Sequence, residues 1–147
     1  MTEGLALALW IVLLVIAALH AAWGLGWRWP SGSEIALART VVGRTGITRM
    51  PSLASCLTVA ALLAGASLWP LCASGLVTAP WPRRLTQFAG LGLAAVYIGR
   101  GIAGYLPAWR RRFSEQPFAS LDRRIYSPLC VLIGAAILTL LIESRAP

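Results

Sequence analysis

The stretch that decides the fold is residues 121–142, LDRRIYSPLCVLIGAAILTLLI, in which a polar cluster stands directly before an apolar run. The run from Pro128 to Ile142 is short for a membrane span, which needs about 20 residues. We therefore expect Ile125 and Tyr126 to extend it into the membrane interface. The segment predicts a transmembrane helix that begins at a group of charged side chains, and those charges need an explanation.

Three further apolar runs also indicate that the chain lies in a lipid bilayer. The chain of 147 residues is 58% hydrophobic and only 12% charged, and its mean hydropathy is +0.72. An ordinary soluble domain has about 25% charged residues, so a soluble fold of this composition would lack polar residues to cover its surface. We predict an all-α integral membrane four-helix bundle, a single transmembrane domain over residues 1–147 with spans at about 5–23, 53–77, 85–106 and 126–142.

The basic residues predict an orientation, because cytoplasmic loops carry an excess of Lys and Arg. All thirteen are arginine. Nine lie in the two long loops, namely Arg28, Arg39, Arg44, Arg49, Arg110, Arg111, Arg112, Arg123 and Arg124. Three lie on the other side, namely Arg83, Arg84 and Arg145. We expect both long loops in the cytoplasm and both termini outside it.

Composition also excludes several classes of function. The net charge of +8 lies between apolar runs rather than along one soluble face, so it indicates anionic lipid headgroups rather than nucleic acid. Cys56, Cys72 and Cys130 fall in or beside apolar segments without a C-x-x-C motif or a neighbouring histidine. With one histidine and no P-loop, the sequence predicts no metal site and no cofactor.

Short helices are expected in both long loops, lying along the membrane surface. The motif SGSE at residues 31–34 fits a capping box with Ser31 as N-cap, and a helix would then run to about Val42. In the other loop, Phe118, Leu121 and Ile125 recur at helical spacing and predict one apolar face of a helix that begins near Pro117. Ser127 would then cap the last span.

Arg100 is the charge that lies deepest in a predicted span, about six residues from its cytoplasmic end. A charge at the centre of a bilayer costs at least about 2.5–3.5 kcal/mol on insertion scales. Asp122 is the acidic residue closest to the membrane boundary on the same side. We therefore predict an ion pair between Arg100 and Asp122, with Arg123 as a competitor that faces another way.

The predicted topology brings four polar residues to one end of the bundle: His20, Arg100, Asp122 and Tyr126. Ionisable residues inside a membrane are functional-site candidates by default. Three interpretations are open: a staple that ties the helix ends together, a ligand or substrate site, and an acid–base catalyst. The staple is the simplest, because a lone histidine is more often structural and no nucleophile stands at motif spacing.

Three motifs carry a resemblance to a known family. LHAAWGLGWRWP at residues 19–30, YIGRGIAGY at 97–105 and FASLDRRIYSPLCVLIG at 118–134 together resemble a bacterial domain-of-unknown-function family, number 3995. The resemblance implies a small four-helix integral membrane protein, and it implies no activity. It marks His20, Trp23, Gly24, Arg100, Gly104, Asp122, Tyr126, Ser127, Pro128, Leu129 and Cys130.

These observations favour a membrane protein whose polar cluster binds a small amphipathic ligand or a membrane partner. One alternative is a dimeric transporter of a small solute or anion that uses Arg100. Another is a small membrane enzyme acting on a lipid or quinone, with His20 as base and Asp122 orienting it. Glycines in the third span allow close helix packing within the bundle or in a homodimer.

Overall fold

A computed structural model describes residues 2–144, and all regular secondary structure within this range is helical. Four long helices are α1 (Thr2–Gly24), α3 (Leu53–Ala73), α4 (Arg83–Ala103) and α7 (Ser127–Glu143). Shorter ones are α2 (Glu34–Val41), α5 (Pro107–Arg112) and α6 (Phe118–Leu121). A π-helical turn over Asp122–Tyr126, the π turn, joins α6 to α7. Arg145, which entered the orientation count, lies outside the described residues.

The long helices pack as two pairs, α1 along α3 and α4 along α7. A buried core holds the pairs together and includes Leu9, Leu13, Trp69 and Ile137. Close approach depends on glycine: a Cβ at Gly24 would lie 2.8 Å from Cβ of Cys56. The α1–α3 crossing therefore requires the small residue.

The outward surface of the long helices is apolar. Leu62, Phe88 and Leu132 are each about two-thirds exposed, and many other large hydrophobic side chains face outward with them. Monomeric soluble proteins rarely expose such continuous apolar area. Among residues 2–144, three helices are long and apolar enough to cross a membrane, namely Thr2–Gly24, Leu53–Ala73 and the continuous segment Phe118–Glu143. These features indicate a membrane protein.

The helix α4 has the length of a span but is not one of those three. It is 21 residues long, and its polarity is concentrated at its two ends. Arg83, Arg84 and Gln87 lie near its start and Arg100 near its end. Charged ends around an apolar centre explain why the helix is less hydropathic than the others.

The expected capping box is wrong in detail. The helix α2 begins at Glu34, and its N-cap is Ser33, whose side chain accepts a hydrogen bond from the Ala36 backbone N–H. Glu34 accepts its hydrogen bond from the Met50 N–H at 3.1 Å, not from Ser31. Gly32, at φ +71°, makes the turn between Ser31 and the cap, which displaces Ser31 from the helix start.

The helix expected to begin near Pro117 forms as α6, but it does not end before the last span. From Phe118 to Glu143 the chain is one helix that passes through the π turn. The π turn contains an extra residue per turn, so it rotates the following side chains around the axis. Phe118 is buried and Ile125 is half exposed, although both line the same cavity. Ser127 lies inside this helix and caps nothing.

A candidate functional site at the capped end of the helices

Two long loops meet over one end of the bundle and form a single cap, which we define as residues 25–52 and 104–126. The Thr45 N–H donates to the Arg112 carbonyl at 3.0 Å, and the Glu115 N–H donates to the Gly43 carbonyl at 3.2 Å. Gly43 has φ +67°, and a Cβ there would collide with the Phe118 ring. The cap is therefore held by backbone contacts that place α2 against α6.

Arg100 and Asp122 form an ion pair beneath the cap. The Arg100 Nη2 group donates to Asp122 Oδ1 at 2.6 Å. The Asp122 side chain is 4% exposed and that of Arg100 is 28% exposed. The pair expected from the sequence thus forms, between the last turn of α4 and the start of the π turn.

Further donors surround the Asp122 carboxylate. The Ser127 hydroxyl donates to Oδ1 at 3.3 Å, and the Trp109 indole N–H donates to Oδ2 at 3.0 Å. The Trp109 ring also lies against the arginine, with its centroid 4.4 Å from Cζ of Arg100. Both oxygens of this buried carboxylate therefore accept hydrogen bonds from side chains of the protein. The hydrogen-bonding capacity of the Asp122 carboxylate is thus taken up by groups of the protein itself.

Gly104 allows these groups to approach one another. It ends α4, and a Cβ at this position would collide with Oγ of Ser127 and would lie 3.0 Å from Oδ2 of Asp122. Any larger side chain would push α4 away from α7. The glycine is therefore part of the site, because it sets the distance between the arginine helix and the aspartate helix.

The π turn places Asp122 and satisfies its own backbone. The Ser127 N–H bonds the Asp122 carbonyl in the π register. Pro128, which has no N–H, cannot continue that register to the Arg123 carbonyl. The Tyr105 hydroxyl donates to that carbonyl instead, at 3.0 Å. Pro128 and Tyr105 together account for an irregular turn at this position, and such turns are frequent at functional sites.

Tyr126 ties the cap to the helix end. Its hydroxyl donates to the Thr40 carbonyl of α2 at 3.2 Å. Its ring packs against Phe118, with centroids 5.7 Å apart. The side chain thus connects the two loops, although it makes no hydrogen bond to Asp122, with which it was expected to share a face.

His20 lies near the pair but is not bonded to it. Its Nδ1 bonds the Ile16 carbonyl of its own helix at 2.8 Å. A carbonyl only accepts, so Nδ1 carries a proton and donates this bond. The ring also rests against Trp23 at 5.3 Å. The arrangement in which Asp122 orients His20 is therefore absent among residues 2–144.

A cavity of about 400 Å³ lies between His20 and the ion pair. Its walls are mainly aliphatic and aromatic, and its polar members are His20, Tyr97, Arg100 and Tyr126. Trp23 and Cys130 also line it. Apolar walls with a few convergent polar groups are typical of small-molecule sites. Within residues 2–144, no three His, Cys, Asp or Glu side chains lie close enough together to hold a metal ion.

Arg123, which the sequence grouped with this cluster, lies elsewhere. Its side chain is exposed and lines a separate groove together with Arg110 and Arg124. Sequence reasoning also missed Trp109, whose indole N–H donates to Asp122. Its spacing carries no signal for a bond to Asp122, because α5 places it only after the chain turns at Leu106 and Pro107.

Comparison with known proteins gives one assignment. No curated protein and no solved structure matches the chain. Residues 13–137, which include His20, Arg100, Asp122 and Tyr126, match a family described as a protein of unknown function. Because this match covers most of the 147 residues, the chain belongs to the DUF3995 family.

Proposed function

We propose that this protein is a multi-pass protein of the bacterial inner membrane that binds a small amphipathic molecule in the cavity between His20 and Arg100. The anionic or polar head of that molecule would lie at Arg100 and its apolar part against the aliphatic wall. The observation that carries the proposal is this cavity, in which one guanidinium, one imidazole and two phenols meet an apolar lining.

The proposal includes α4 as a fourth span beside the three most apolar helices. At 1.5 Å per residue, its 21 residues are about 31 Å long, which matches the hydrocarbon core of a bilayer. It packs along α7, and its charges lie at its ends, where side chains can reach the headgroups or pair. The cap helices α2 and α5 would then lie at the membrane surface.

Arg100 has unused capacity to bind a ligand. A guanidinium has five N–H donors, and the protein engages Nη2 with Asp122 and, at a long 3.4 Å, Nη1 with Ser127. The side chain is 28% exposed and lines the cavity. Asp122 fixes the guanidinium in place, so the remaining donors are oriented before a ligand arrives, which lowers the entropic cost of binding.

Binding can be tested with a fluorescent fatty acid, dansyl-undecanoic acid, added to the protein in phosphatidylcholine nanodiscs. We expect energy transfer to the probe from Trp23, which lines the cavity. Replacing the carboxylate by a methyl ester removes the charge-assisted hydrogen bond to Arg100. The ester should bind about tenfold more weakly or worse, with empty nanodiscs giving the partition background.

Two cysteines provide a matched pair of variants. Cys130 lines this cavity, whereas Cys72 lines a different cavity at the opposite end of the helices. Cys130→Leu fills the site without touching the ion pair and should weaken acid binding at least about tenfold. Cys72→Leu should leave it within about twofold. Equal affinity of the acid for Cys130→Leu and the wild-type protein would exclude this cavity as the site.

A further inference from the structure

The cap carries a large excess of positive charge. It and the adjoining Arg100 hold ten of the thirteen arginines, against the three carboxylates Glu34, Glu115 and Asp122. All three carboxylates have partners: Glu34 binds the Met50 N–H, Glu115 binds the Gly46 N–H and lies 3.6 Å from Arg39, and Asp122 binds Arg100. Most cap arginines therefore have no carboxylate partner among residues 2–144.

Three of these arginines converge on one groove. Arg110 from α5 and Arg123 and Arg124 from the π turn line an open groove of about 410 Å³. Tyr105, Gln116 and Ser120 complete its polar wall, and no carboxylate lines it within the described part of the chain. The groove lies on the outer side of the π turn, away from the cavity that Phe118 and Tyr126 line. It is thus independent of the proposed ligand cavity.

The groups around the groove mainly donate hydrogen bonds. The Ser120 hydroxyl donates to Oε1 of Gln116 at 2.7 Å, so the Gln116 amide keeps its two N–H donors. A guanidinium group can donate two parallel N–H···O hydrogen bonds to two oxygens of one phosphate, and this geometry makes the interaction specific. Three guanidiniums and an amide, with no carboxylate among the groove's lining residues in the described part of the chain, select a polyvalent oxyanion such as phosphate.

The groove adjoins an apolar surface. Ile102, Tyr105 and Leu106 are each about half exposed, at the end of α4 where the proposed span reaches the membrane boundary. A lipid places its phosphate at this depth and its acyl chains along such side chains. We propose that the groove formed by Arg110, Arg123 and Arg124 binds the phosphate of an anionic phospholipid headgroup.

The test uses the full-length protein in a neutral maltoside detergent and native mass spectrometry to count bound molecules. The probes are dihexanoyl-phosphatidylglycerol, dihexanoyl-phosphatidylcholine and inorganic phosphate. We expect phosphatidylglycerol to bind most tightly, and binding to weaken as salt is raised, because the exposed charges are screened. The double variant Arg123→Gln/Arg124→Gln should bind phosphatidylglycerol about tenfold more weakly or worse.

The matched control is Arg44→Gln/Arg49→Gln, which removes the same charge from exposed positions of the cap that do not line the groove. It should change the affinity less than about twofold. An equal loss in both double variants, or no loss in either, would overturn the proposal in favour of diffuse attraction. If inorganic phosphate displaces phosphatidylglycerol at similar concentration, the groove is an oxyanion site whose ligand is a soluble phosphate compound. That result would overturn the assignment to a phospholipid headgroup.

Discussion

At the scale of single residues, the burial of Asp122 determines how the polar end of the bundle works. The carboxylate is 4% exposed and accepts from Arg100, Ser127 and Trp109. Removing one partner of a buried ion pair is strongly destabilising, because it leaves a charge without compensation. The pair therefore connects α4 to the π turn, and it also holds Arg100 at the edge of the cavity.

A double-mutant cycle measures how much the ion pair contributes to the free energy of unfolding. We expect Arg100→Gln to lower the free energy of unfolding by about 3 kcal/mol, since it leaves the buried carboxylate without its charge partner. Asp122→Asn should lower it by about 1–3 kcal/mol, because its amide cannot satisfy all three donors. The two effects should fall short of additivity by at least about 1 kcal/mol, as measured by denaturation in detergent.

Arg124→Gln is the control for this cycle, because Arg124 is exposed and lies in the same turn. It should change stability by less than about 0.5 kcal/mol. Additivity of Arg100→Gln and Asp122→Asn within about 0.5 kcal/mol would mean that the two side chains do not stabilise each other.

The ion pair and the placement of His20 and Tyr126 beside Arg100 could be predicted from the sequence, whereas the other hydrogen bonds of the site could not. Two opposite charges, Arg100 and Asp122, lie at the same predicted membrane boundary. A charge that is removed from water there is costly unless it is paired, so pairing of these two side chains was the expected arrangement. His20 was grouped with them only by its end of the bundle, and its bond to Ile16 is a local one that depends on its rotamer. Arg123 is one position from Asp122, and neighbouring helical residues point in different directions.

At the scale of helices, the crossing of α4 and α7 requires glycine at position 104. Gly104→Ala would push a methyl group into Ser127 Oγ, which is bonded to Asp122. We expect a loss of about 1–3 kcal/mol, typical of overpacking. Gly99→Ala on the same helix meets no atom within 4 Å and should be neutral or stabilising, because alanine favours helix by about 1 kcal/mol. Thermal unfolding of both variants in detergent gives the comparison, and equal stability would contradict a close crossing at Gly104.

The π turn shows why the boundaries of the last helix were less predictable than its existence. The apolar run fixed a helix near Pro128 to Ile142, and the structure has α7 at Ser127–Glu143. Periodicity before it assumed 3.6 residues per turn, but the π turn inserts an extra residue. Ile125 is half exposed and Tyr126 packs on Phe118. Hydrophobic spacing has no signal for this shift, which depends on contacts with Tyr105 and Arg100.

At the scale of the whole molecule, the apolar exterior and the charge of the cap are two consequences of one arrangement. Chain length and composition predicted long apolar helices, since only a bilayer can cover so much exposed hydrophobic area. The cap was less predictable, because its assembly depends on backbone bonds such as that from Thr45 to Arg112. Once assembled, it concentrates ten arginines, including Arg100, at one end of the molecule.

That concentration predicts the orientation of the protein. Arginine-rich short loops stay in the cytoplasm, so the cap should lie inside the cell and the C-terminus outside. A green fluorescent protein fused to the C-terminus should be dark and an alkaline phosphatase fused there active, because only the second folds after export. Fusions placed after Thr48, within the cap, should give the opposite pair of signals. A fluorescent C-terminal fusion would place the C-terminus in the cytoplasm and the cap outside the cell. The arginine count would then have predicted the wrong orientation.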